Sequence, residues 1–140
     1  MPFEYFDVTA EIGIRASGSS YEEAFAVAAK ALFALMVDIS KIRISESRDI
    51  SVRTDSLEVL LADWLNQLII ERDRSGLVFS EFEIKILRPA DGWEIKARAY
   101  GERLNRALHD PRMDVKAITY HGLRCVQHEE VYMVQCVLDI

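Results

Sequence analysis

The sequence predicts an α+β fold: two helices packed on one face of a mainly antiparallel β-sheet, in a single domain spanning residues 1–140. Three observations predict it. Two segments repeat their apolar residues at steps of three and four, which marks one face of a helix. Most other apolar residues alternate with polar ones, as half-buried strands require. Several of these alternating runs are neighbours joined by short turns, which favours antiparallel pairing.

In the first helical segment Tyr21, Phe25, Ala28, Leu32 and Met36 share a face. Ser20 followed by Glu23 makes a capping box at its start, and Asp38 and Ile39 lie near its end. In the second, Leu57, Leu60, Leu61, Trp64, Leu65, Leu68 and Ile69 form a wide apolar stripe. Asp55 and Glu58 mark its start, and the turn at Arg74-Ser75-Gly76 ends it.

The strands follow from period two. Ile12, Ile14 and Ala16 alternate with Glu11, Gly13 and Arg15, and Ile50 and Val52 alternate with Ser51 and Arg53. Val78, Phe82, Ile84 and Ile86 face a hairpin partner carrying Trp93, Ile95, Ala97 and Ala99, across the turn Pro89-Ala90-Asp91-Gly92. A second hairpin joins 115–126 to 131–140, with Tyr132, Val134, Cys136, Leu138 and Ile140 on the buried side. The stretch from Gly101 to Asp114 breaks every period and carries Pro111, so it reads as a long loop. The polar stretch from Ile42 to Arg48 reads as a loop or an edge strand. The expected order is ββ, α, ββ, α and four strands.

Composition narrows the function. Half the residues are hydrophobic and 29% are charged, which suits a globular chain. At 140 residues it buries roughly 70% of its unfolded surface and needs no disulfide or structural metal to fold. The net charge of −6 argues against a domain built to grip nucleic acid, since phosphate contacts dominate such affinity. A role on RNA would run through a protein partner. Cys125 and Cys136 lie in strand-like runs without CxxC spacing and read as small core residues in a reducing compartment. The opening MPFEYFDV lacks the basic and apolar regions of a signal peptide, and no apolar run approaches the ~20 residues of a membrane helix. The expectation is a cytoplasmic protein that does not engage a membrane.

No motif for nucleophilic, phosphate-cradling or zinc chemistry occurs: there is no GxSxG, P-loop, GxGxxG or HExxH. His109, His121 and His128 are isolated in sequence and read as surface or satisfied structural residues. Trp64 and Trp93 each lie on an apolar stripe and read as core. The better lead is acidic. Asp139 and the α-carboxylate of Ile140 put two hard oxygen groups one residue apart. With Asp7 or Glu11 alongside they would suit Ca²⁺, Mg²⁺ or Mn²⁺; otherwise they form a solvated strand end. Lys116 is either an edge-strand lysine that discourages aggregation or a cation beside those carboxylates or a phosphate. No general base stands beside the carboxylates, which counts against an independent hydrolase.

Several segments together resemble the archease family: FDVTAEIGIRASG at 6–18, YEEAFAVAAKALFALMVDISKI at 21–42, SLEVLLADWLNQLI at 56–69, LVFSEFEI at 77–84, GERLN with His109, DVKAITYHGL at 114–123 and the closing VQCVLDI. The resemblance covers essentially the whole chain. It implies an accessory protein, not an enzyme, for the RNA ligase that seals a 3′-phosphate to a 5′-hydroxyl in tRNA splicing, promoting ligase guanylylation and multiple turnover. It implies a divalent cation, calcium first and Mg²⁺ or Mn²⁺ as alternatives, held by Glu11, Asp139 and the Ile140 carboxylate, with Lys116 as the associated basic residue. A chaperone-like role toward an RNA methyltransferase is the alternative. The sequence departs from the family pattern at Val8 and Glu11, where histidine and aspartate are usual, and at Asn105, where aspartate is usual.

Overall fold

The computed structural model describes residues 3–140; Met1 and Pro2, the start of the segment read for a signal peptide, lie outside them. The elements run β1 (Phe3–Val8), β2 (Glu11–Gly18), α1 (Tyr21–Met36), a 3-10 turn (Ile39–Lys41), β3 (Glu46–Thr54), α2 (Leu57–Ser75), β4 (Leu77–Leu87), β5 (Trp93–Arg103), α3 (Arg106–His109), β6 (Ala117–Ile118), β7 (Arg124–His128) and β8 (Val131–Asp139).

The α+β class holds and all strand pairing is antiparallel, but the strands divide between two sheets. One has the order β1-β2-β8-β6, with β7 pairing along the same flank of β8 as β6; the other has the order β3-β5-β4. α1 packs on β2 and β8 of the first sheet and on β4 of the second; α2 packs on β3 and β5 of the second and on β6, β7 and β8 of the first. The two helices are therefore the layer between the sheets. That position explains their sequences. α1 buries Ala24, Ala28, Ala29 and Ala31 as well as Phe25, Leu32 and Phe33, because a helix covered on both sides needs small residues where a backbone approaches. Trp64 of α2 is fully buried, lies edge-on to Phe82 and donates its indole N–H to the Phe25 carbonyl of α1 at 3.2 Å.

Local signals explain the helix ends. Ser20 accepts from the Glu23 N–H, as the capping box predicts, while the Glu23 carboxylate accepts from the Ser19 N–H. α2 is capped by Ser56 rather than Asp55; its hydroxyl accepts from the Val59 N–H. Gly76 ends α2 in the left-handed conformation at φ +75°.

The span 101–114 is not one loop. β5 continues to Arg103, and α3 forms a single turn capped by Asn105, whose side chain accepts from the Ala107 and Leu108 N–H groups. The polar stretch before residue 48 is likewise divided: the strand begins at Glu46. The 115–126 run is split into β6 and β7. Trp93 is half-buried rather than core, with the Arg88 guanidinium 4.0 Å from its ring centroid. On β8, Val134, Cys136 and Leu138 are buried as expected, whereas Ile140 stays 37% exposed. Cys125 and Cys136 are free thiols whose pKa burial pushes up to about 12, so they act as small apolar residues.

His109 is fully buried and structural. Its Nδ1 accepts from the Asn105 N–H at 2.8 Å and its Nε2 lies 2.9 Å from Glu102. Glu102 also accepts from the Arg43 N–H at 2.6 Å. That backbone bond first, then the one from His109, holds the Glu102 carboxyl below the usual range. A depressed folded-state pKa means the stabilisation is complete above the unfolded value of about 4.3 and is lost as pH falls through the folded one. Urea midpoints measured from pH 6 downward should therefore fall below about pH 4.3, and Glu102→Gln should flatten that slope while lowering the midpoint at pH 6.

Candidate functional site

β2 begins at Glu11 because the two-residue turn Thr9-Ala10, with Ala10 at φ +61°, closes the β1–β2 hairpin just before it. β8 ends at Asp139. The two strands pair antiparallel with Ile12 opposite Leu138, and carrying that register one residue further sets Glu11 opposite Asp139. The opening strand and the tail of the sequence therefore meet at one end of the five-stranded sheet. Leu138 faces the helices and is fully buried, so Asp139 and Glu11 take the outer face. Asp7 pairs with Ile12 and so lies on the other face; of the two early carboxylates weighed above, the pairing selects Glu11.

Val8 pairs with Glu11 and shares its face, which places the usual histidine position of the family motif directly beside this carboxylate. His121 Nε2 lies 3.5 Å from Glu11 Oε1. The segment that carries it folds over the outer face of β8. Thr119 donates its N–H to the Val137 carbonyl at 3.0 Å, Gln135 Nε2 donates to the Gly122 carbonyl at 3.2 Å, and Gly122, at φ +74°, lies on Val137 so closely that a Cβ would come within 2.9 Å of its side chain. This cover buries Val137, which strand alternation alone would leave outside. His121 is exposed, as the sequence predicts, and its contact with Glu11 depends on this long-range fold-over.

Lys116 lies at the same end of the sheet. Its N–H donates to the Asp139 carbonyl at 2.9 Å, and β6 follows with Ala117 opposite Asp139. It also lines a cleft of about 510 Å³ between α2, β3 and β6, with Ser51, Asp63, Gln67, Ile70 and Tyr120. The backbone of Lys116 is thus tied to that of Asp139, and the residue borders the α2 flank. Two contacts fix this segment. Asn66 of α2 clamps the free edge of β6, its amide donating to the Ile118 carbonyl at 3.2 Å and accepting from the Ile118 N–H at 2.8 Å. Tyr120 donates to Asp63 at 2.5 Å, and that bond raises the tyrosine's pKa. Asn66→Ala would leave both Ile118 groups without their partner and should cost about 1–3 kcal/mol, read as a lower urea midpoint.

The donor set is chemically suited to a hard divalent cation: two side-chain carboxylates and an α-carboxylate. Among the described residues, no three side chains of the His, Cys, Asp and Glu types gather into a group that could hold a metal by themselves. Asn105, where the family usually has aspartate, is remote from this cluster in role: it caps α3 and holds His109. Among the described residues no helix is long and apolar enough to cross a membrane.

Comparison with known proteins relates the chain, over residues 3–140, to one family. The model of the Archease protein family (MTH1598/TM1083) matches residues 3–140. The protein archease of Pyrococcus abyssi is 42% identical over 139 residues, covering 99% of this chain and 98% of the relative. That of Sulfolobus acidocaldarius is 41% identical over 138 residues, with the same coverage. The solution structure of Methanobacterium thermoautotrophicum protein 1598 superposes with a TM-score of 0.88 at 34% identity, covering 99% of both chains. The crystal structure of a Thermotoga maritima archease, described as a possible chaperone, shares the fold with a TM-score of 0.55 at 21% identity, covering 98% of this chain and 96% of that one. The chain is a member of the archease family.

Proposed function

We propose that this protein is a non-enzymatic activator of the RNA ligase that joins tRNA halves, and that it acts through a divalent cation held by Glu11, Asp139 and the α-carboxylate of Ile140. Family membership supports the reading. The observation that carries it is the pairing of Ile12 with Leu138, which leaves the first residue of β2 beside the last of β8. Carboxylates gathered on one ion would be relieved of mutual repulsion by its charge. When bound, a divalent ion would supply positive charge to nucleotide phosphates during guanylylation of the ligase. Glu11 and Asp139, on the outer face, would hold such an ion at one end of the sheet, and the Lys116 backbone fixes the strand end through the Asp139 carbonyl. The net charge of −6 favours approach to a basic ligase site by electrostatic steering, so stimulation should weaken as salt rises. Calcium is the first candidate ion, with Mg²⁺ and Mn²⁺ the alternatives, and the reading places the protein in the cytoplasm.

The test is the yield of ligase–GMP and of joined tRNA halves with and without the protein, at substoichiometric ligase, before and after chelation. The expected result is stimulation that chelator removes and that a two-glycine extension beyond Ile140 weakens by displacing the α-carboxylate. Stimulation indifferent to both would remove the carboxylate assignment.

A chaperone-like role toward an RNA-modifying enzyme, such as a tRNA methyltransferase, is the second reading. The description of the Thermotoga maritima relative favours it, as do Ile70 and Tyr120, both exposed and lining one cleft. It predicts stoichiometric suppression of methyltransferase aggregation, followed by light scattering, with no effect of chelator.

A further inference from the structure

We propose that the cleft between α2, β3 and β6 takes an extended segment of a partner polypeptide, which pairs with β3 as a fourth strand of the second sheet. This rests on the second reading above, in which the protein shields another protein chain, and names the site that does so.

The backbone supplies the first reason. β3 is an edge strand that pairs with β5 on one side. In an antiparallel pair alternate residues turn their N–H and C=O groups away from the partner, so the other side of β3 is a template for a further strand. Among the described residues, one backbone group of β3 is engaged other than with β5: the Ser47 carbonyl, which accepts from the Arg48 guanidinium at 2.8 Å. Edges are commonly blunted by a lysine, a proline or a bulge. β4, the opposite edge of this sheet, carries Lys85 and the irregularity after Phe79. β3 carries none of the three, and its nine residues pair with β5 in unbroken register.

The surroundings supply the second. Ser51 and Val52 are consecutive, so their side chains leave opposite faces of the sheet; both border the cleft, which puts the edge of β3 itself along its wall. α2 forms the floor, where Asp63, Asn66, Ile70 and Asp73 follow at steps of three and four. Ile70 is 50% and Tyr120 64% exposed, and apolar side chains on an added strand would cover both. The β6 wall offers no rival edge, because Asn66 already holds both backbone groups of Ile118.

Charge narrows the segment. Of the groups bordering the cleft, Asp63 is held by Tyr120 and Asp73 by Arg72, whereas Lys116 meets no carboxylate among the described residues. The segment that fits is extended, apolar at alternate positions and acidic between them.

A ¹H–¹⁵N NMR titration of the whole chain with a capped synthetic peptide of about seven residues, alternating valine with glutamate, tests this. The expected result is amide shifts confined to β3 and the floor residues of α2. Esters in place of the peptide's internal amides remove its donors and keep its side chains; that form should bind at least about tenfold more weakly. Ile70→Ser, and lysine in place of glutamate in the peptide, should each weaken binding at least about fivefold. Ile44→Ser, equally exposed but outside the cleft, should leave it unchanged. Equal binding of the ester form would mean that side chains dock without strand addition, and the proposal falls. It falls too if the shifts map to β1 or β4, or if no peptide binds below about 1 mM. Suppression of methyltransferase aggregation that persists in any of those cases leaves the second reading standing without this one. Peptide binding on β3 without such suppression removes the second reading and keeps the strand-addition site.

Discussion

Glu11→Gln is expected to lower divalent-ion affinity at least about tenfold and to remove most of the stimulation of ligase guanylylation, while leaving the fold intact. The substitution keeps the side chain's length and its capacity to accept a hydrogen bond, and removes only the charge. Glu11 is the first residue of β2, its side chain is partly exposed, and its ion-pair partner among the described residues is an exposed histidine. A pair of this kind contributes at most about 1 kcal/mol, so the urea midpoint should barely move. Asp139→Asn should behave in the same way, and the double variant should be little worse than either single one, because both remove the same shared ion. Asp7→Asn is the control that separates a site from general acidity. Asp7 lies at the same end of the sheet but on the opposite face, so neutralising it should leave both ion binding and stimulation unchanged. Equal losses in Asp7→Asn and Glu11→Gln would show that overall negative charge, and not a cation held at the β2–β8 end, accounts for the effect.

Both helices were legible because their apolar stripes are long and because α2 ends on a glycine whose left-handed conformation the sequence advertises. The hairpins were legible from alternation. What alternation does not carry is the identity of a strand's neighbours. Nothing in the apolar period of β3 says that it joins β5 and β4 in a separate sheet, and only that division makes α1 and α2 an internal layer. α3 was missed because one helical turn is too short to show a period. At the candidate site, Glu11 and Asp139 could be named from residue chemistry and family resemblance, and the register sets them side by side. The contact of His121 with Glu11 could not be read. It depends on the 119–122 segment turning back over Val137, and no local pattern in TYHG reports which strand it will cover.

Gly101→Ala is expected to destabilise the protein by more than about 3 kcal/mol, the largest loss of any single methyl addition among the strands described above. Gly101 sits where all three strands of the second sheet converge. It pairs with Glu46 of β3 on one side and with Phe79 of β4 on the other, and its carbonyl accepts from the Ser45 N–H at 2.9 Å. β4 carries a register irregularity between Phe79 and Glu81, next to this position. A Cβ on residue 101 would lie 1.8 Å from the Val78 carbonyl oxygen and 2.8 Å from the Phe79 Cα. Both are backbone atoms, so no side-chain rotation relieves the clash, and the strand must move. Phe79 is fully buried and meets Phe33 of α1 edge-on, so moving β4 disturbs the packing of the helix layer as well. At Gly13 the obstacle is instead the Phe6 ring, a side chain at the β1 edge, so Gly13→Ala can be relieved by rotating that ring outward and should cost less. Urea denaturation of the two variants side by side measures the difference. A Gly101→Ala midpoint equal to that of Gly13→Ala would mean that β4 can withdraw from β5 without disturbing α1.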